Sequence, residues 1–175
     1  MVKYLSDDTV KELLQSKWSA LIEDIESALI DEHGDMVPKI YLQSGHHGDF
    51  RAMPASLKGY SALKWIGVFP KNKQYGLPTT LGTLILSDKL TGKTLMTMDC
   101  TTLTAYRTAA VSAIAAKYCC PDATNFAFIG CGLQARYHIE AYEAIFGHTN
   151  MHIDVYDRDD EAMTDLSIWI SKENI

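Results

Sequence analysis

Two sets of residues in this sequence have the types and spacing to do chemistry. The first is the run Phe126-Ala127-Phe128-Ile129-Gly130-Cys131-Gly132-Leu133-Gln134-Ala135. A Gly-x-Gly between an apolar strand and a helix brings free backbone N–H groups against a phosphate. Gly130 permits the tight turn, Gly132 permits close approach, and Ala135 fills the third position, where packing wants a small residue. The next apolar run ends in Asp157, 27 positions after Gly130, where a carboxylate can accept hydrogen bonds from an adenosine ribose. The chemistry is dinucleotide binding; a tight strand-to-helix turn without a ligand is the alternative. The second set is three cations in apolar surroundings. Lys64 lies within Ala62-Leu63-Lys64-Trp65-Ile66-Gly67-Val68-Phe69, Arg51 precedes Ala52-Met53-Pro54, and Arg107 sits in an alanine-rich stretch. A buried ammonium is costly without an anion, so the three can converge on a small carboxylate, which an arginine fork grips with two bonds. The alternative is that each snorkels to solvent or pairs with Asp49 or Asp99.

The elements that must position these groups are legible from periodicity. Trp18, Leu21, Ile22, Ile25 and Leu29 recur at spacings of three and four and predict a helix over residues 7–33, capped by Asp7 or Asp8 and stopped by Gly34. Short β-rich runs follow at 39–43, 49–53, 62–69, 81–87 and 94–99, separated by Gly, Pro, Asn and Asp. On the period of two, Lys64 shares a face with Ala62, Ile66 and Val68. The last two runs are joined by Asp88-Lys89-Leu90-Thr91-Gly92, a loop of hairpin length. The first hundred residues thus predict a helix and a mostly antiparallel sheet. Residues 101–120 predict a buried helix opening on a threonine hydroxyl cap. Pro121-Asp122 breaks it and marks the expected domain boundary, giving domains 1–120 and 121–175. A strand at 125–129, a helix at 133–146, a strand at 151–156 and a helix from about Asp159 complete the chain. The fold class is α/β: an α+β domain followed by the first part of a Rossmann dinucleotide-binding domain.

Composition sets the outer limits. The 175 residues carry 16 Lys+Arg and 22 Asp+Glu, a net charge of −6, so nothing draws the chain to a phosphate backbone and nucleic acid is not expected as a partner. An apolar fraction of 47% and a charged fraction of 22% are those of a globular protein. No apolar run reaches the ~20 residues of a membrane helix, and the N-terminus lacks the basic and apolar regions of a signal peptide. Cys100, Cys119, Cys120 and Cys131 form neither a disulfide framework nor a zinc motif; a cytoplasmic location is expected. The adjacent His46 and His47 point apart on most backbones, so no metal is expected there. Cys131 reads as a small filler, and Thr79-Thr80 as a strand start.

Several further stretches, taken in order, resemble a known family. They are Gly48-Asp49-Phe50-Arg51-Ala52-Met53-Pro54-Ala55, Leu63-Lys64-Trp65 with Val68-Phe69-Pro70-Lys71-Asn72, and Gly76-Leu77-Pro78-Thr79-Thr80. Thr91-Gly92, Met98-Asp99, Leu103-Thr104-Ala105-Tyr106-Arg107-Thr108-Ala109-Ala110 and the glycine turn follow. Over about residues 36–160 the order and spacing resemble the ornithine cyclodeaminase/mu-crystallin family. The resemblance implies a homodimer with a substrate-binding and dimerisation domain beside a Rossmann domain for NAD or NADP. It implies that Arg51, Lys64 and Arg107 bind a substrate carboxylate, with Lys64 near the reacting centre, and that Thr79 lies near the nicotinamide. Arg107, Gly130, Gly132, Leu133, Gln134, Ala135, Asp157 and Arg158 are then the expected cofactor contacts. Ornithine cyclodeaminases of the family carry Glu two positions before Met-Pro; Arg51 stands there, as in its alanine dehydrogenases and ketimine reductases. The expected function is therefore an NAD(P)-dependent oxidoreductase on a small L-amino acid or cyclic imine. The alternatives are ornithine cyclodeamination and a crystallin-like NAD(P)H-binding protein without turnover. Family members are nearly twice as long, and their acid/base aspartate would lie beyond Ile175, so residues 1–175 alone are expected to be inactive.

Overall fold

The computed structural model describes residues 2–147 and 151–173. Packing groups the chain into two compact units, residues 1–13 with 28–104 and residues 14–27 with 105–175. The grouping runs differently from the boundary expected at Pro121. That proline does follow the end of a helix, but the helix it follows packs its alanine face within the second unit, together with the segment around Trp18.

In the first unit the strands are β1 (Lys3–Leu5), β2 (Asp35–Met36), β3 (Ile40–Ser44), β4 (Gly48–Leu57), β5 (Tyr60–Val68), β6 (Thr80–Asp88) and β7 (Thr94–Asp99). They form one sheet in the order β1-β7-β6-β5-β4-β2, with β3 also on β4. All neighbours are antiparallel except β1, which runs parallel to β7 with Leu5 opposite Met98. The five predicted β-rich runs are all strands; the short β1 and β2 carry too few residues to show a period. Met53 faces Lys64 and Lys64 faces Leu84, so Arg51, Met53, Lys64, Ile66, Gly82 and Leu84 share one face of the sheet. Gly82 is there because the sheet leaves no room for more. A Cβ would lie 2.5 Å from the Trp65 carbonyl oxygen and 2.9 Å from Cys100 Sγ.

The helix predicted over 7–33 is two helices, α1 (Asp7–Leu14) and α2 (Trp18–Leu29). Between them Ser16 adopts a left-handed φ of 61°, which an α-helix cannot accommodate. Periodicity reads through such a break because apolar residues on both sides keep their spacing. The second helix also stops at Leu29, five residues before the expected Gly34 stop.

The second unit contains α2 through residue 27, most of α3 (Thr101–Cys119), β8 (Asn125–Ile129), α4 (Leu133–Phe146), β9 (His152–Tyr156) and α5 (Asp160–Glu173). β8 and β9 pair in parallel, Asn125 to His152 through Ile129 to Tyr156. One core cluster joins Tyr106, Ala109 and Ala113 of α3 to Tyr137 and Ala141 of α4, with Trp18 packed on it. A second joins Cys131, Ala135 and Ile139 to Leu166 of α5. Small residues on α3 let its neighbours approach closely, which is why that helix shows no clear amphipathic stripe in sequence. No described helix is long and apolar enough to cross a membrane.

Candidate functional site

In the first unit, Lys64 is 9% exposed, and its Nζ donates to Thr104 Oγ1 at 3.4 Å. β5 sets its direction: the period of two turns Lys64 to the same face as buried Ile66. Thr104 ends this unit in the first turn of α3, where its N–H donates to the Cys100 carbonyl at 2.9 Å. Cys100 is fully buried beside the pair, and burial raises its thiol pKa although the Lys64 charge opposes this.

Arg51 stands on the same sheet face, diagonal to Lys64 across β4 and β5. Its fork is engaged: Nε donates to Asp49 Oδ1 at 2.6 Å and Nη2 to Asp49 Oδ2 at 3.2 Å. The guanidinium also lies 5.4 Å from the centre of the Tyr41 ring. The pairing lowers the Asp49 pKa and raises that of Arg51. Of the partners considered from sequence, Arg51 therefore has Asp49. Thr79 is half-buried ahead of β6, and its carbonyl accepts the Phe69 N–H at 2.8 Å. Arg107 is half-buried on α3, three residues after Thr104.

The first turn of α3 is closed by carboxylates rather than by a hydroxyl cap. Asp99 Oδ1 accepts the Thr101 N–H at 2.8 Å, and Asp7 accepts both the N–H (2.8 Å) and the hydroxyl (2.7 Å) of Thr102. A carboxylate is the stronger acceptor for helix N-terminal amides, being charged and matched to the helix dipole. Asp7 thus serves α3; its own helix is started by Ser6, whose Oγ accepts the Thr9 N–H at 3.3 Å. From sequence Thr104 carries no assigned role, and Asp7 is read only as a cap of its own helix. Thr104 had a faint signal, being one turn before Arg107 on a predicted helix. Asp7 had none, since its partner is 95 residues away.

In the second unit, β8 runs into Gly130 at a φ of +103°, which favours glycine. Gly132 is the N-cap of α4, with no side chain capping the amides that follow. A Cβ at Gly132 would meet nothing within 4 Å. Gly130, Gly132, Leu133 and Gln134 are all exposed, whereas Ala135 is buried against Ile139 and Leu166. Cys131 is buried in the same cluster, and burial, reinforced by Asp157, raises its thiol pKa. Asp157, just past β9, accepts the Cys131 N–H on Oδ2 at 2.7 Å and the Asp159 N–H on Oδ1 at 3.1 Å. These amides, Cys131 first, hold its carboxyl below the usual range. Arg158 is exposed beside it. Uncapped helix amides, open space over Gly132 and an anion at the end of the second strand fit a ligand that carries phosphate and ribose hydroxyls. Among the described residues no group of three or more His, Cys, Asp or Glu is placed to hold a metal ion.

Comparison with known proteins bears on the family and the fold. The model of the ornithine cyclodeaminase/mu-crystallin family matches residues 2–175. The chain is 46% identical over 112 residues to an alanine dehydrogenase of Archaeoglobus fulgidus, covering 63% of this chain and 34% of that protein. An archaeal alanine dehydrogenase dimer solved with bound NAD superposes with a TM-score of 0.88 at 34% identity, over 99% of this chain and 54% of that one. The Δ1-pyrroline-2-carboxylate reductase of Thermococcus litoralis, solved with NADH and L-proline, also gives a TM-score of 0.88, at 28% identity, over 99% and 55%. The chain spans about half the length of these solved relatives.

Proposed function

Because the chain belongs to the ornithine cyclodeaminase/mu-crystallin family, we propose that it carries the substrate-anchoring and cofactor-binding residues of an NAD(P)-dependent oxidoreductase acting on a small L-amino acid or cyclic imine. The observation that carries this reading is the Lys64 ammonium, buried on the sheet face between Met53, Ile66 and Leu84 and held to Thr104. Such a charge suits an anionic ligand better than an apolar core. Lys64 and Arg51 hold the substrate carboxylate, and Lys64 also stabilises charge at the reacting carbon; Arg107 is proposed as a further ligand-binding cation. Gly130, Gly132, Leu133, Gln134 and Ala135 cradle the pyrophosphate, Asp157 accepts the ribose hydroxyls beside Arg158, and Thr79 contacts the nicotinamide. When bound, NAD(P) exchanges a hydride with the substrate carbon.

Dimerisation and a cytoplasmic location belong to the same proposal. The archaeal relative is a dimer, and the sheet face opposite Lys64 leaves Trp65 40% and Ile85 36% exposed, an apolar surface suited to a second copy.

Protection of Lys64 from acetylation tests the site. L-alanine or pyruvate, with NAD or NADH present, should slow Lys64 acetylation, and Arg51→Met should abolish much of that effect. Acetylation unaffected by either acid would sink the assignment. Nicotinamide absorbance identifies the type. A net change with L-alanine marks a dehydrogenase and ammonia release from L-ornithine without net change marks a cyclodeaminase; bound NADH with neither marks a binding protein only in a chain of the relatives' full length.

A further inference from the structure

We propose that Asp7 is a positioning residue for Lys64: its carboxylate fixes the first turn of α3 and, through that turn, the hydroxyl that holds the ammonium. The argument begins with the sheet. β1 pairs in parallel with β7, with Leu5 opposite Met98. Parallel strands advance together, so the residues leaving β1 travel beside those leaving β7. Asp7 therefore arrives next to the segment Asp99-Cys100-Thr101-Thr102 that turns into α3.

Ser6 caps α1, which leaves the Asp7 carboxylate to bind across the chain. Both of its oxygens are used on one residue: Oδ1 accepts the Thr102 N–H and Oδ2 the Thr102 hydroxyl. Two bonds to one residue fix orientation as well as distance. Thr102 is 5% exposed and Lys64 is 9% exposed, and these two are the buried polar or charged residues among those described. Both are bound at the same helix turn, Thr102 by Asp7 and Lys64 by Thr104, two residues further on. Fraying of that turn would withdraw the Thr104 hydroxyl from Lys64. A carboxylate from the start of the chain thereby sets how the lysine is presented.

The inference concerns the lysine proposed above as the substrate anchor, but it does not depend on turnover, and its test reads Lys64 directly. The probe is pulsed acetylation of the whole chain, with the Lys64 rate divided by that of exposed Lys71 and amide exchange followed at Thr101 and Thr102. Asp7→Ala should raise the Lys64 ratio by about two- to thirtyfold, the range spanned by loss of a helix cap, and speed exchange at both threonines. Asp7→Asn keeps an acceptor for the Thr102 N–H and should change the ratio by less than about twofold. Gly59→Ala, strained at a φ of +82° in the β4–β5 turn, is the control for general destabilisation. Should Asp7→Ala prove unable to fold, Thr102→Val removes one of the two bonds and should give a smaller rise in the same ratio. The proposal is overturned if Asp7→Ala or Thr102→Val leaves the ratio unchanged. It is equally overturned if Gly59→Ala raises the ratio as far at matched stability, or if Asp7→Asn raises it as far as Asp7→Ala. Loss of substrate protection with these ratios intact would count against the proposed function and not against the role of Asp7.

Discussion

Asp157 closes the glycine turn by accepting the Cys131 N–H at 2.7 Å. One carboxylate thus joins the end of β9 to the turn after β8 and gives the turn its shape. The same group is proposed to receive the ribose, so its replacement has two separable consequences.

Asp157→Ser should weaken NAD more than NADP, because it removes the ribose acceptor while relieving repulsion of a 2′-phosphate. Asp157→Asn keeps an acceptor for Cys131 and should preserve the turn while still narrowing the preference. Titrations of both cofactors check this, and an equal loss for the two would refute the ribose assignment.

Arg51 faces two anions in the proposed site, Asp49 in the structure and a substrate carboxylate. Arg51→Met should weaken carboxylate protection of Lys64 about ten- to a hundredfold, the worth of a charge-assisted hydrogen bond, with cofactor affinity nearly unchanged. Asp49→Asn frees the fork and should strengthen protection. A fall in NAD affinity with substrate protection intact would place Arg51 on the cofactor side or in the fold.

Two glycine substitutions should behave oppositely. Gly82→Ala drives a Cβ into the Trp65 carbonyl, Cys100 Sγ and Ile66 Cα, all within 2.9 Å, and should cost about 1–3 kcal/mol in urea unfolding, as overpacking does. Gly132→Ala meets no protein atom within 4 Å. It should cost no more than about 1 kcal/mol of stability, the preference for glycine over alanine at an N-cap, yet weaken dinucleotide binding at least tenfold, since the added methyl occupies space proposed for the pyrophosphate. Unchanged dinucleotide affinity in Gly132→Ala would remove that space from the site.

Acid should weaken both units through identifiable carboxylates. Asp157 is lowered by the Cys131 amide and Asp49 by Arg51. A carboxyl whose folded pKa lies below its unfolded value adds stability that is complete above the unfolded value of about 3.9 and is lost as pH falls through the folded value. Urea midpoints should therefore hold steady above about pH 5 and decline below about pH 4. Asp157→Asn and Asp49→Asn should each flatten part of that decline; parallel curves for wild type and variants would show that other groups control it.

The sequence by itself determined the local elements and the turn that joins them. Strand alternation around Lys64, the helix start after Gly132, the small Ala135 and the acidic end of β9 are all set by neighbours a few residues away, where steric and hydrogen-bonding preferences act directly. It also carried the family, because the motifs keep their order. It did not determine the break at Ser16, since the apolar stripe continues in spacing on both sides of it. Nor did it determine that Arg51 takes Asp49, that Thr104 holds Lys64, or that Asp7 rather than a threonine hydroxyl closes α3. Those relations were decided by tertiary structure. The pairing of β1 with β7 brings together groups 95 residues apart in the chain. A carboxylate's choice among several nearby donors depends on distances that only the assembled sheet fixes.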